Sequence, residues 1–360
     1  MSKTTQHKLR RDHYEEVTNQ IIAEMETGQL TWRQPWDIGN AFAGASARDY
    51  MPQNATSGRP YSGINKLVLM MSPLALGTAD PRWASYKQAQ EHGWQVRGGS
   101  KGTTVFFYKS LRVADKGGRG EDDDPDLVDG RRDAQGLLGT QDDGVDSIRT
   151  VPILRSYTVF HASQIDGIPP YEPGDPLDQA WTPAEAAEQI LTSSGANIEH
   201  GGNRAYYMPS LDKIVLPPRA SFGTAEDYYG TALHEVGHWT GHPTRLARPM
   251  SGQFGTPSYA AEELRAELAS VFLGAATGIE PQIHEAAAYL QSWIKLLKNN
   301  KKEIFRAAAD AQRASDYVLA LAGMKPEVDM EFDAESVALP ANDSDPDLTE
   351  SRPSFRAGMR

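Results

Sequence analysis

His234 and His238 stand four residues apart, with Glu235 beside the first of them, in the run YYGTALHEVGHWTGH. A four-residue step puts both imidazoles on one helical face within reach of a single cation, and the pattern predicts a helix that begins near Ala225. A catalytic cation held this way needs a third protein ligand and an open position for water, whose proton Glu235 is placed to take as general base. That is the chemistry of peptide-bond hydrolysis by a zinc metallopeptidase. Tyr228, Tyr229, Ala232, Leu233, Val236 and Trp239 supply the apolar face that would bury such a helix.

The third ligand should come from a following helix, expected from about Ser258 to Ala276, where TPSYAAEELRAELASVFL offers Glu262, Glu263 and Glu267. Glu263 and Glu267 lie one turn apart on one face, so one can ligate while the other orients a ligand histidine from behind. Glu263 is the preferred ligand, Glu267 its closest rival and His242 a third candidate, because Gly241 and Pro243 break the helix beside it. If the helix continued, His242 would stand roughly 12 Å along the axis from His234, too far to share an ion. Arg245, Arg248 and Tyr259 either line the cleft or serve as ion-pair and packing residues. With no cysteine in the chain, thiolate sites and disulfides are excluded and any metal rests on histidine and carboxylate. Zn2+ is the expected ion, and the same donors accept Mn2+ or another divalent cation.

The elements that must position these residues can be read along the 360-residue chain. An amphipathic helix is expected from Asp12 to Glu26, a helix or strand at Ile64 to Met71, and a short helix from Pro81 through Gln90. WQVRGGSKGTTVFFYKS reads as a hairpin around Gly98 to Gly102. The acidic run 112–149 reads as a disordered insertion, with strand pairing resuming at Ile153 to Phe160. A Pro/Gly-rich stretch from Gly167 to Pro176 marks a boundary. Beyond it come a helix at Pro183 to Ser193, a strand pair around Arg204 to Leu216, the two metal helices, and one long helix from Pro281 to Leu321. The expected organisation is residues 1–170, a linker at 171–180, residues 181–325 and a disordered acidic tail at 326–360. No run is apolar enough for a membrane span, so a cytoplasmic location is expected.

A net charge of −12 argues against a polyanionic partner, but the average conceals a basic front: residues 1–111 hold 13 Lys and Arg against 9 Asp and Glu. Single-stranded nucleic acid is held by cations along its backbone and aromatic faces under its bases. Arg59 and Tyr61 share a turn, Arg82, Trp83 and Lys87 share the expected helix start, and Arg97 and Lys101 flank the expected hairpin tip. Trp32 and Trp36 are read as packing residues.

Taken in order, YEEVTNQIIAEMETG, the Trp32 to Trp36 segment, NATSGRPYSGIN, PRWASYKQAQEHGWQVRGGSKGTTV and YTVF are followed by AYYMPSLDKIVLPP, YYGTALHEVGHWTGHPTRLAR, YAAEELRAELASVFL and SWIKLLKNNKKEIFRAAADAQRASDYVL. This succession resembles the ArdC family of plasmid antirestriction proteins over about 12–111, 151–170 and 181–322. The resemblance implies an α+β fold: an N-terminal single-stranded-DNA-binding domain with a small antiparallel sheet, then a mainly helical zincin-like metallopeptidase domain. It further implies protection of incoming plasmid DNA during conjugation, with an N-terminal domain shared by some plasmid primases. The acidic insertion and tail depart from the family core. Two rivals use the same residues: a site-specific zinc protease whose front lobe recognises a protein, and a DNA chaperone whose metal is purely structural.

Overall fold

The computed structural model describes residues 12–27, 51–76, 80–114, 148–172, 183–250, 252–253, 255–279 and 286–324. Helix α1 (His13–Glu26) opens where Asp12 accepts a hydrogen bond from the Glu15 backbone N–H, and it buries Val17, Ile21, Ile22 and Met25. The front half continues with β1 (Gln53–Asn54), α2 (Gly63–Met70), α3 (Pro73–Leu76), β2 (Arg82–Ser85), α4 (Tyr86–Glu91), β3 (Gln95–Val96), β4 (Thr103–Ala114), β5 (Ile148–His161) and β6 (Ile165–Asp166). One sheet has the order β1-β2-β5-β4, and β3 pairs with β6 in a second. The first sheet is antiparallel except at its edge, where β1 runs parallel to β2.

Two local expectations change here. The segment after Pro81 begins as a strand, and the helix starts only at Tyr86, where Ser85 and Gln88 form a reciprocal capping box. The arms flanking Gly98 to Gly102 do not pair with each other, since β3 joins β6 and β4 joins β5. Gly102 serves close approach instead: a Cβ there would stand 2.3 Å from Thr158 Cγ2 and 3.0 Å from the Val159 carbonyl oxygen. Strands β4 and β5 pair from Thr103↔Val159 to Ala114↔Ile148, so the ladder runs into both ends of the acidic stretch 112–149 and resumes at Ile148, before the expected Ile153. The insertion's residues 115–147, Trp32, Trp36 and the acidic tail lie outside the described residues.

The rear half comprises α5 (Pro183–Ser194), β7 (Asn197–His200), β8 (Tyr206–Met208), β9 (Lys213–Leu216), α6 (Ala225–Trp239), α7 (Pro257–Thr277), α8 (Ala286–Asn299) and α9 (Glu303–Leu321). The expected strand pair gains a third member, β7, parallel to β9, giving the order β7-β9-β8. The single long helix expected to close the fold is two. Asn300 interrupts it, its side-chain carbonyl accepting from the Lys302 N–H at 3.1 Å and its backbone carbonyl from the Glu303 N–H at 3.0 Å.

Every described residue falls in one compact unit, Met1–Asp329. The largest apolar cluster joins α1, α2 and Phe106 of β4 to Leu264, Leu268 and Phe272 of α7, Trp293 of α8 and Ile304 of α9. Asn65 of α2 bonds both backbone groups of Phe106 at 2.7 Å, standing in for a missing strand neighbour. Lys66 is buried with its ammonium 4.7 Å from the Phe272 ring centre. A second cluster packs α5 and the rear sheet against Leu233, Val236 and Trp239 of α6.

Candidate metal centre

Helix α6 is started by Thr224 and Asp227, which cap one another's backbone N–H groups, and ends at Trp239 with Thr240 as its cap. It lies against α7, and the glycine inside the histidine motif sets how close. A Cβ on Gly237 would meet the Ala266 Cα and carbonyl oxygen, both at 3.2 Å. That contact brings the carboxylates of α7 up to the histidines of α6.

His234, His238 and Glu263 converge, each offering a donor atom within 4.8 Å of the others. Among the described residues this is the one cluster of three or more such donors. His234 Nε2 stands 3.7 Å from Glu263 Oε2, and His238 Nε2 stands 3.6 Å from Glu263 Oε1. These gaps exceed hydrogen-bond length. Donors about 2.1 Å from a tetrahedral cation stand roughly 3.4 Å apart, so the donor set fits a divalent ion with little adjustment.

The opposite ring nitrogens also face carboxylates. His234 Nδ1 faces Glu267 Oε2 at 3.8 Å and His238 Nδ1 faces Glu262 Oε1 at 3.3 Å. Arg248 grips Glu262 in turn through Nη2 (2.7 Å) and Nε (3.1 Å), and donates to Thr240 Oγ1 and the Gly237 carbonyl at the end of α6. The Glu262 hydrogen bond orients the His238 ring so that Nε2 points inward, and Glu267 places a carboxylate behind His234.

Electrostatics agree with the geometry. Burial disfavours charge on all three groups, yet Glu263 holds His234 above its ordinary value, and Glu262 and Glu263 push His238 up to about 10. Glu263, despite burial, is held well below the usual carboxylate range by the two imidazoles, so it stays anionic. Glu235 is pushed up by burial against the pull of His234 and His238, and its carboxylate accepts the backbone N–H of Tyr207 in β8. His234 keeps 20% of its side chain exposed, which leaves the cluster open on one side.

Strand β8 is fastened to α6 from below. Arg245 donates to both carboxylate oxygens of Asp212, to the Tyr207 hydroxyl at 3.2 Å and to the Trp239 carbonyl at 2.6 Å, with its guanidinium 3.9 Å from the Trp239 ring centre. Arg245 and Arg248 are therefore ion-pair residues. Tyr259 bonds the Tyr289 hydroxyl at 3.2 Å, one turn before Glu263. His242 turns away from the cluster, its Nδ1 on the Thr244 hydroxyl at 2.8 Å. Sequence reasoning named Glu262 but gave it no role, and missed Tyr207, Asp212 and the packing of Gly237. The glycine inside the motif was the available signal.

The front-half candidates scatter. Tyr61 and Trp83 are in the core at 8% and 0% exposure, so neither ring offers a face to a base, contrary to expectation. Trp83 packs edge-on to His161 inside the sheet's apolar layer. Arg82 is bound to Asp80 and Lys87 pairs with Glu91. Arg97 is exposed but pairs with Asp166, and Arg59 and Lys101 are exposed.

Residues 11–160 match the N-terminal domain of anti-restriction factor ArdC, and residues 185–310 match a zincin-like metallopeptidase family. The crystal structure of the antirestriction protein ArdC from plasmid R388, metal-free, is 35% identical with a TM-score of 0.66, over 87% of this chain and 98% of that one. The chain belongs to the ArdC family of antirestriction proteins. An Mn(II)-bound structure of the R388 ArdC protein superposes with a TM-score of 0.64. Two Escherichia coli proteins named DNA primase TraC are 42% and 43% identical, but the chain spans only 27% and 20% of their lengths. A Sinorhizobium fredii protein, y4eC, is 36% identical over 85% of this chain and 91% of its own length. The ArdC fold is thus present in both halves, mixed α/β in front and mainly helical behind. No helix among the described residues is long and apolar enough to cross a membrane.

Proposed function

We propose that this ArdC-family chain binds single-stranded DNA through its front half, about residues 1–170, and holds a divalent cation in a metallopeptidase cleft in its rear half, protecting incoming plasmid DNA. The observation that carries the metal half is the convergence of His234, His238 and Glu263 with a carboxylate behind each imidazole. The Mn(II)-bound R388 relative and the zincin-like match of residues 185–310 support it. Zn2+ is the ion we assign, with Mn2+ the alternative.

A cation bound there would supply Lewis acidity to a water and a peptide carbonyl. The chain's own residues do the rest. Glu235, raised by burial, accepts the water's proton and returns it to the leaving amine. The Tyr207 N–H aims its carboxylate, while Glu262 orients the His238 ring and Glu267 stands behind His234. The 20% exposure of His234 favours a catalytic site, open to substrate, over a closed structural one.

Both halves are tested on the full chain. Single-stranded DNA should bind more tightly than duplex in a gel shift, weaken steeply with salt, and bind equally well to Glu235→Ala. Cleavage of an unfolded casein substrate should vanish in the same variant while its bound metal remains. DNA binding that ignores strandedness, or cleavage that survives Glu235→Ala, would overturn the corresponding half.

A further inference from the structure

An open surface cleft of about 450 Å³ lies in the front half between β1 and the segment 169–172, lined by residues that include Gln53, Gly58, Arg82, Tyr171 and Glu172. It belongs to the size class of small-molecule clefts, about 300–1,000 Å³. Its walls are fixed. Asn54 Oδ1 accepts from the Thr56 and Ser57 N–H groups at 3.1 and 3.0 Å, closing a turn that places Gly58, at φ 67°, on the rim without a side chain. Arg82 grips Asp80 with Nε (2.8 Å) and Nη2 (2.7 Å), and Nη2 also donates to the Pro169 carbonyl at 2.7 Å. Its guanidinium lies 5.2 Å from the Tyr171 ring centre, and Gln53 Nε2 donates to the Tyr171 hydroxyl at 3.4 Å.

The charge pattern selects the ligand class. Asp80 neutralises Arg82, and Glu172 adds a second acidic residue to the lining, so a phosphate finds no net positive charge inside. An aromatic face, a side-chain amide and a carboxylate suit a flat neutral ring with N–H donors on its edge. We propose that this cleft takes one nucleobase of a bound single strand, stacked on Tyr171 with its exocyclic amino group donating to Glu172, while the phosphates stay outside. The proposal rests on the reading that the front half binds single-stranded DNA. It puts base contact at Tyr171, in place of the buried Tyr61 and Trp83.

The test uses full-length protein and fluorescence anisotropy with oligo-dC, oligo-dT and abasic strands of roughly 12 nucleotides, all with equal phosphate number. Wild type should bind oligo-dC about tenfold more tightly than the abasic strand. Tyr171→Ala should bring oligo-dC down to the abasic level, Tyr171→Phe should keep the preference, and Glu172→Gln should erase the advantage of oligo-dC over oligo-dT. If wild type binds all three strands alike, or Tyr171→Ala leaves the oligo-dC to abasic ratio unchanged, the cleft assignment is wrong and strand binding stands. Free dCMP binding as tightly as oligo-dC would overturn it in favour of a free nucleotide. Absence of binding to any strand would remove the DNA-binding reading and the pocket with it.

Discussion

Replacing Gly237 by alanine tests the contact that brings α7 to the histidines. The new Cβ would sit 3.2 Å from the Ala266 Cα and carbonyl oxygen and 3.4 Å from the Ala269 Cβ. Comfortable carbon contacts lie at about 3.5–4.0 Å, so one helix must retreat by roughly 0.3 Å or more. The obstacle is backbone, which cannot swing aside as a side-chain tip would. Ala266 lies between Glu263 and Glu267, so any retreat moves both carboxylates together. Metal–ligand distances tolerate only about 0.2 Å. Affinity for Zn2+ should therefore fall about 10–100-fold, the size of effect seen when a ligand's supporting shell is disturbed, or about 1.4–2.7 kcal/mol. Stability should change less: overpacking costs about 1–3 kcal/mol, and alanine recovers about 1 kcal/mol of helix propensity. Competition with a chromophoric chelator reads the affinity, and calorimetry in excess EDTA reads the metal-free stability. Wild-type affinity in Gly237→Ala would refute the packing argument.

Glu262→Gln weakens the acceptor behind His238 and loosens the Arg248 clamp, and the same chelator competition should show about a 10–100-fold loss of metal affinity with little change in fold by circular dichroism. Arg265 sits between Glu303 and Asp310 where α7 meets α9, so Arg265→Met leaves each carboxylate with one remaining cation, Arg306 and Arg313 respectively, and should cost about 1.5–3 kcal/mol in urea unfolding. Asp212, held down to about 2 mainly by its hydrogen bonds from Arg245, contributes stability above its ordinary pKa near 4 and loses it as pH falls toward 2. Urea midpoints of wild type should therefore drop more steeply between pH 4 and pH 2 than those of Asp212→Asn, and parallel profiles would show that the Arg245 clamp adds nothing.

The donor cluster of the candidate site was legible because its information is local: a four-residue histidine step and a carboxylate pair one turn apart survive any tertiary arrangement that packs the two helices. Which of Glu263, Glu267 and His242 converges with both imidazoles was not fixed by spacing. It depended on which side of α7 the Gly237 contact turns inward, and on Gly241 and Pro243 carrying His242 away from the helix axis. The front half was harder for the same reason. Trp83 and Tyr61 look like stacking rings beside arginines, but the arginine beside Trp83 belongs to an Asp80 ion pair and both rings fill the sheet's apolar layer. Whether an aromatic is core or contact depends on strand register, which a turn-rich stretch does not reveal. Asn300 broke a helix whose apolar periodicity runs on through it, and one core shared by α1, α2 and α7 left no trace in composition.

Isothermal titration of demetallated protein with Zn2+ and Mn2+ addresses the central claim most directly. One equivalent per chain should bind to wild type and to His242→Ala, and none to Glu263→Ala. A full equivalent retained by Glu263→Ala, or lost in His242→Ala, would contradict the account.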